Sequence, residues 1–315
     1  MILPFFSSLD QHGILGINAR NLDYLFPCNP RRLYKYADSK LETKKIAERI
    51  GVAVPETYGV VQFQNQVKQL PEIVGDRTAF VIKPVGGSGG DGIVVIKDVS
   101  DQGYHKASGK ILSLGDLQYH LYNTLSGMFA LSGTSDSAII EYAVQFDPVF
   151  ENIAYQGIPD IRVIIYHGVP MMAMLRLPTK ISDGKANLHR GGVGVGIDIA
   201  TGKTTFGIQH NRYIEAHPET GNPLRGIAIP HWEPILEMSS RLGTETEFVY
   251  LGVDFVLDET QGPLLLEMNA RPGLSIQIAN QEGLIPRLEA VDGVRHKLGD
   301  RAEKIDFAKK MFAAS

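Results

Sequence analysis

Residues 250–269 read Tyr-Leu-Gly-Val-Asp-Phe-Val-Leu-Asp-Glu-Thr-Gln-Gly-Pro-Leu-Leu-Leu-Glu-Met-Asn, and no other stretch restricts the fold as tightly. Two apolar runs flank the polar break Glu259-Thr260-Gln261-Gly262, the pattern of a hairpin with a four-residue loop. Centring that loop pairs Asp258 with Pro263 and Val256 with Leu265, and the same register sets Asp254 opposite Glu267. Asn269 lies two residues beyond Glu267 and so shares its strand face. Directly opposed Cβ atoms in an antiparallel pair are only ~5 Å apart, where like charges destabilise the ribbon. Two acids and an amide oxygen on one face therefore need compensation. A hard cation supplies it, since Mg²⁺ takes carboxylate and carbonyl oxygens and commonly substrate phosphates as well. A water-exposed face, or an arginine brought from elsewhere, would serve the same end. Asp254, Glu267 and Asn269 are thus candidate metal ligands.

A second constraint is the loop Gly86-Gly87-Ser88-Gly89-Gly90-Asp91-Gly92, which the apolar strand Ala79–Lys83 enters and Ile93–Ile96 leaves. Gly87 to Gly92 matches G-x-G-x-x-G, but that motif must open a helix, and the β-branched run that follows predicts a strand instead. No G-x-x-x-x-G-K-[ST] occurs, and a protein kinase would place its lysine after the loop and carry H-R-D and D-F-G, which are absent. Lys83 precedes the loop, where an ammonium reaches phosphate oxygens while the backbone N–H groups of Gly87, Ser88, Gly89 and Gly90 cradle them. The competing reading is a surface hairpin with a solvated lysine.

Composition sets the outer bounds. At 315 residues, with 43% hydrophobic and 21% charged residues, the chain suits two or three subdomain cores. A net charge of -4 gives no general reason to hold nucleic acid. The single cysteine, Cys28, excludes an intrachain disulfide and fits a reducing compartment. Met1–Phe6 carries no basic n-region, and no apolar run is long enough to span a bilayer, so the expectation is a cytoplasmic protein without membrane insertion. Residues 1–37 read as an irregular N-terminal arm. Ser39 and Glu42 form a capping box for a helix ending at Gly51, on which Lys44 and Lys45 read as a solvated face. Ser113 with Asp116 caps a second helix expected to reach about Phe129. Strands are expected at 138–142, 161–166 and 169–175, a glycine-rich stretch at 183–196, a helix near 232–242 and a helical tail from 286.

These stretches together resemble the ATP-grasp superfamily, and in particular its alpha-L-glutamate ligase (RimK-type) branch and the ligase-like proteins near it. The resemblance runs from about Asp38 to about Ala279 and rests on Gly252-Val-Asp254, Leu266-Glu-Met-Asn-Ala-Arg-Pro-Gly273, Asp160-Ile-Arg162 and Asn187-Leu-His-Arg-Gly-Gly192, in the family's order. It implies an α/β (α+β) chain in which two α+β subdomains clasp ATP: residues 38–285, with a lid at about 75–140, followed by the tail at 286–315. By resemblance, Asp254, Glu267 and Asn269 hold two Mg²⁺ ions (Mn²⁺ substituting) that bridge the ATP phosphates. Lys83 is the lid lysine, and Lys40 points into the nucleotide cleft. Glu141, Tyr142 and Ala143 form the hinge whose backbone reads adenine, Asp160 holds ribose hydroxyls, and Lys185 to Asn187 touch nucleotide. Arg162, Arg176, Arg190 and Arg271 are phosphate or carboxylate clamps, for which a planar guanidinium is suited. His189 is assigned a structural role.

Three departures from the family's pattern stand out. Only 37 residues precede the Ser39-capped helix where a full N-terminal α/β domain is usual. Arg271 stands where glutamate ligases have a small residue, and Asp98–Ser137 lengthens the lid. The implied reaction turns a carboxylate into an acylphosphate with release of ADP, and an amine then displaces phosphate. Its partners are a small-molecule or peptide carboxylate and an amine, and a homo-oligomer is compatible with it. The alternatives are a nucleotide-binding module without turnover and a phosphotransferase acting on a non-carboxylate acceptor.

Overall fold

The computed structural model describes residues 13–87, 89–106, 108–130 and 133–314. Contacts divide the chain into two units: one takes in the chain up to Asp38, Glu42–Ala53 and everything from Phe146, the other Ser39–Leu41 and Val54–Gln145.

The second unit is built on a six-stranded antiparallel sheet of β1 (Thr57–Val61), β2 (Phe80–Pro84), β3 (Val94–Ser100), β4 (Gly103–Lys106), β5 (Ile111–Leu112) and β6 (Ala138–Glu141). Its strand order is β1-β6-β2-β3-β4-β5, which puts the glycine-rich loop between neighbouring strands β2 and β3. Helix α2 (Leu114–Leu125) packs Leu117, Leu121 and Leu125 against Phe80, Ile82 and Ile96 in one apolar cluster. Its capping box is present: the Asp116 N–H donates to Ser113 Oγ, and the Ser113 N–H donates to Asp116 Oδ2 at 2.8 Å. The helix stops at Leu125 rather than near Phe129, because Gly127 adopts φ +84°, a left-handed stop that glycine takes without a Cβ clash.

The first unit carries a seven-stranded antiparallel sheet of β7 (Asp160–Tyr166), β8 (Val169–Leu177), β9 (Val193–Ile197), β10 (Thr204–Gln209), β11 (Arg212–Ile214), β12 (Tyr250–Asp258) and β13 (Gly262–Asn269). The strand order is β11-β10-β9-β8-β7-β12-β13. The helix Trp232–Glu245 (α3) packs on β7 and β8 and the helix Arg301–Met311 (α4) on β8, and these strands are buried along nearly their whole length and read as near-continuous apolar runs. The helix at 40–49 spans Lys40–Arg49 (α1) as expected, but Lys44 is buried with Thr43 and Ala47, not solvated. The expected irregular arm is helical where described: Ile17–Ala19, a wider turn at Arg20–Leu25, and Arg31–Asp38. Asn29 anchors it, donating to the Tyr250 carbonyl at 2.5 Å and accepting from the Val249 N–H at 2.9 Å.

The β12–β13 hairpin corrects the sequence reading in its turn and keeps it at the acids. The loop has three residues, not four: Asp258 pairs with Gly262, Leu257 with Pro263 and Val256 with Leu264. Gly262 sits at φ +73°, the left-handed position that closes a three-residue hairpin loop. Asp258 Oδ1 accepts from the backbone N–H groups of Thr260 and Gln261, both at 3.0 Å, which fixes the turn. A bulge at Asp254/Phe255 then shifts the ladder by one residue and returns Asp254 to Glu267 and Gly252 to Asn269.

Candidate functional site

Strand alternation assembles a polar face in the first unit. Asp254 pairs with Glu267 on β13 and with Arg162 on β7, and Asp160, two residues before Arg162, pairs with Arg176 on β8. All these side chains therefore project to one side of the sheet. Arg162 donates to Asp254 through both Nε (2.7 Å) and Nη2 (2.5 Å), and Arg176 Nη2 donates to Asp254 Oδ2 at 2.6 Å. Arg176 Nε also donates to Asp160. Arg162 Nη2 lies 3.9 Å from Glu267 Oε1. Asp254 is 1% exposed, so its charge is neutralised within the protein.

The electrostatics follow from this sharing. Burial alone would push the Asp254 carboxyl up, but Arg162 and Arg176 beside it hold it well below the usual carboxylate range. Burial pushes Asp160 up to about 7; Arg176 opposes this, and the nearby charge of Asp254 adds to it. Arg176 is itself held above its ordinary value: the charges of Asp160 and Asp254 outweigh its burial.

Among the described residues no cluster of three or more His, Cys, Asp or Glu side chains could hold a metal. A two-carboxylate-plus-amide set falls outside that description. Asp254 is ionised and faces Glu267, and Asn269 follows on the same edge with both β13 side chains partly accessible. This all-oxygen set fits a hard divalent cation that also takes phosphate oxygens. In the protein alone, both Asp254 oxygens are engaged by guanidinium groups.

The remaining first-unit candidates lie in loops. Arg271 is exposed, 5.1 Å from the Tyr34 ring centroid and 3.5 Å from Asp38 Oδ2. Its loop is seated by Arg20 Nη1, which donates to the Pro272 carbonyl at 2.6 Å, and by Pro272 filling the space a Cβ at Gly252 would need. Asn187 accepts from the His189 N–H at 3.0 Å and opens the turn Leu188–Arg190, leaving Arg190 exposed and Lys185 half-buried. Beside that turn is a 270 Å³ cavity lined by Leu188, His189, Ile208, His210, Asn211 and Ser275. His189 and His210 thus line a cavity, which the sequence reading missed; nothing in the local pattern brings residues 189 and 210 together.

In the second unit, Lys83 and Glu141 form an ion pair of 2.5 Å with side chains 5% and 4% exposed. Glu141 pairs with Val81 across the β2–β6 ladder, so Lys83 is its diagonal neighbour. The Tyr142 N–H donates to the Glu56 carbonyl at 2.9 Å, and the Ala143 carbonyl accepts from Gln145 Nε2 at 3.0 Å. The Lys40 ammonium donates to the Gly87 carbonyl. Gly89 and Gly90 take φ +62° and +79° at the loop tip, and Ser88 lies outside the described residues.

Two antiparallel sheets, one with a glycine-rich β2–β3 loop beside a buried lysine and one with opposed acids on its edge hairpin, define an ATP-grasp protein. The chain belongs to the sugar-transfer associated ATP-grasp family, whose model matches residues 19–293. That match covers the superfamily part of the sequence resemblance; the alpha-L-glutamate ligase branch is a finer assignment. No curated protein sequence matches. Among solved structures the chain is similar to the biotin carboxylase domain of the Hydrogenobacter thermophilus 2-oxoglutarate carboxylase, at TM-score 0.47 and 16% identity over 80% of this chain and 47% of that one. It is also similar to the ATP-grasp ligase PsnB, at 0.45 and 12% over 86% and 63%. D-alanine–D-alanine ligase from Bacillus anthracis gives 0.43 and 14% over 87% and 66%. The chain spans about half the length of the first of these. The fold assignment rests on the family match, not on these likenesses. No helix among the described residues is long and apolar enough to cross a membrane.

Proposed function

We propose that this chain is an ATP- and Mg²⁺-dependent ligase that activates a carboxylate and joins it to an amine. The observation that carries this reading is the convergence of Asp254, Glu267, Arg162 and Arg176 on one face of a rigid sheet. In the reaction, a substrate carboxylate oxygen bonds to the γ-phosphorus of ATP and the bond to the bridging oxygen breaks, releasing ADP. The amine nitrogen then bonds to the carbonyl carbon and loses a proton, and phosphate leaves. Bound magnesium would supply charge neutralisation at the phosphates, held by Asp254, Glu267 and Asn269. Arg162 and Arg176 offer guanidinium donors to the same oxygens, the usual protein contribution to phosphoryl transfer.

The second unit supports nucleotide binding through its loop. Gly87 and Gly92 are places where a Cβ would come within 2.5 Å of Pro84 and of Phe129, so only glycine lets the backbone lie there. Lys83, held by Glu141, reaches phosphate once that pair opens. Glutamate, or another amino acid, as the added group rests on the sequence resemblance alone. The family's description associates its members with sugar transfer, which supports a saccharide-bearing acceptor or a sugar-transfer partner over a free amino acid. The cavity at His189, His210 and Ser275 offers hydrogen-bonding groups over the apolar Leu188 and Ile208, which suits a hydroxyl-rich substrate. A cytoplasmic setting, where ATP is available, completes the reading.

The test is ADP release by purified protein against matrices of carboxylates, amino acids and amino sugars. Release that requires both a carboxylate and an amine supports ligation. A phosphorylated product formed without amine points to the phosphotransferase. Tight ATP binding with no turnover points to a binding module, and no ATP binding at all sinks the assignment.

A further inference from the structure

We infer that Asp136 is a positioning residue for the glycine-rich loop, with His120 as the second anchor. The inference rests on the reading of that loop as the phosphate-binding element. A loop containing Gly86, Gly87, Gly89, Gly90 and Gly92 loses more backbone freedom on ordering than a loop of residues with side chains would. Unless that freedom is removed beforehand, a bound phosphate must supply the ordering free energy.

The chain removes it from outside the loop. Both Asp136 oxygens accept from the Gly86 N–H, at 3.1 and 3.0 Å, and Oδ1 also accepts from the Ser137 N–H at 2.8 Å. Next to this, the Val85 N–H donates to the Ser137 carbonyl at 2.9 Å, which extends the β2–β6 ladder up to the first loop glycine. Gly87 bridges to Ala130 and takes the Lys40 ammonium on its carbonyl. On the leaving side, His120 Nε2 lies 2.9 Å from the Gly92 carbonyl, and its ring sits 5.3 Å from the Phe129 ring that occupies the Cβ space of Gly92. A carbonyl oxygen only accepts, so this contact requires the His120 proton on Nε2, which donates to Gly92. The loop is therefore pinned at its start and its end, with Gly89 and Gly90 at the tip.

Asp136 suits this task because a carboxylate accepting backbone N–H groups forms charge-assisted bonds, the stronger kind. His120, Phe129 and Asp136 all come from the long segment Asp98–Ser137. That segment therefore acts as a brace for the loop. Pre-ordering of this kind lowers the cost of binding and leaves the chemical step largely untouched.

The experiment uses the full chain and variants D136A, D136N and H120F, each read by hydrogen exchange over residues 84–94 and by the dissociation constant for ATP with magnesium. D136A is expected to exchange faster across the loop and to bind ATP about tenfold more weakly, with kcat at saturating ATP within about threefold. D136N, whose amide oxygen still accepts from Gly86 but without the charge, should recover part of both losses. H120F keeps the contact with Phe129 and loses the bond to Gly92, so it should show the same pattern in weaker form; it carries the test if D136A does not fold. Unchanged ATP affinity in D136A, or in H120F with a faster-exchanging loop, overturns the inference while the nucleotide reading stands. A wild-type chain that binds no nucleotide overturns both.

Discussion

Asp254 sits where two demands meet. Its carboxylate is buried against two guanidinium groups, and the same oxygens belong to the oxygen set suited to a cation. Arg162 and Arg176 hold its pKa low and its carboxylate in one orientation, as the proposed metal-ligand role would require. Under the proposed function, phosphate oxygens would offer the guanidiniums alternative acceptors, and the carboxylate would be available to hold a cation. Removing one guanidinium should therefore show in stability as well as activity. Arg162→Ala leaves Asp254 with Arg176 alone and should cost about 3 kcal/mol, measured by urea unfolding. Pairing it with Asp254→Ala should return part of that loss. On the activity side, Glu267→Gln keeps size and hydrogen bonding but removes one charge from the set. We expect a drop of about a hundredfold or more in Mg²⁺-dependent ADP formation with the melting temperature nearly unchanged. Activity close to that of the parent chain would refute the metal assignment.

At the scale of elements, the β12–β13 hairpin shows how a register survives an error in its turn. The four-residue loop read from Glu259–Gly262 becomes three residues once Gly262 takes the left-handed position and joins the ladder. That change alone would move Glu267 out of line with Asp254. The bulge beside Asp254 adds the compensating residue, and bulges commonly re-aim side chains next to active sites. Gly262→Ala should destabilise the chain by about 1 kcal/mol, read as a lower denaturation midpoint, because a Cβ is strained at positive φ. The α2 capping box, in contrast, formed where Ser113 and Asp116 stand in the sequence, since its partners lie within one turn.

For the whole molecule, acid stability tests the burial pattern. His217 is 1% exposed with Nε2 3.1 Å from the Pro178 carbonyl, and burial lowers its pKa despite that bond and nearby Glu219. An unfolded chain takes up this proton below the ordinary histidine value of about 6.5, whereas the folded chain resists it to lower pH. Folding stability contributed by His217 is thus intact above that value and falls as pH drops beneath it. Urea midpoints should decline between about pH 7 and pH 5, and His217→Gln should flatten the decline. Equal slopes in the two proteins would show that His217 titrates normally. Half-buried His120, whose pKa is also lowered by desolvation, carries the same sign, so some slope should persist in the variant.

Much of the candidate site was legible in the sequence, and for a definite reason. The period of two along β12 and β13, the glycines before a β-branched run and the Ser113–Asp116 cap are local properties, set by backbone sterics and neighbours a few residues away. They determined that two acids would face one another and that a glycine loop would join two strands. The neutralising partners were not legible. Arg162 and Arg176 reach Asp254 from 92 and 78 residues away, and Asp136 reaches Gly86 from 50, because the strand orders β8-β7-β12-β13 and β6-β2-β3 bring them together. Lys44, read as solvated, is buried for the same reason: which face of α1 turns inward depends on what packs there. Periodicity encodes the face a side chain occupies, whereas its partner depends on which distant strands become neighbours, and only the folded chain decides that.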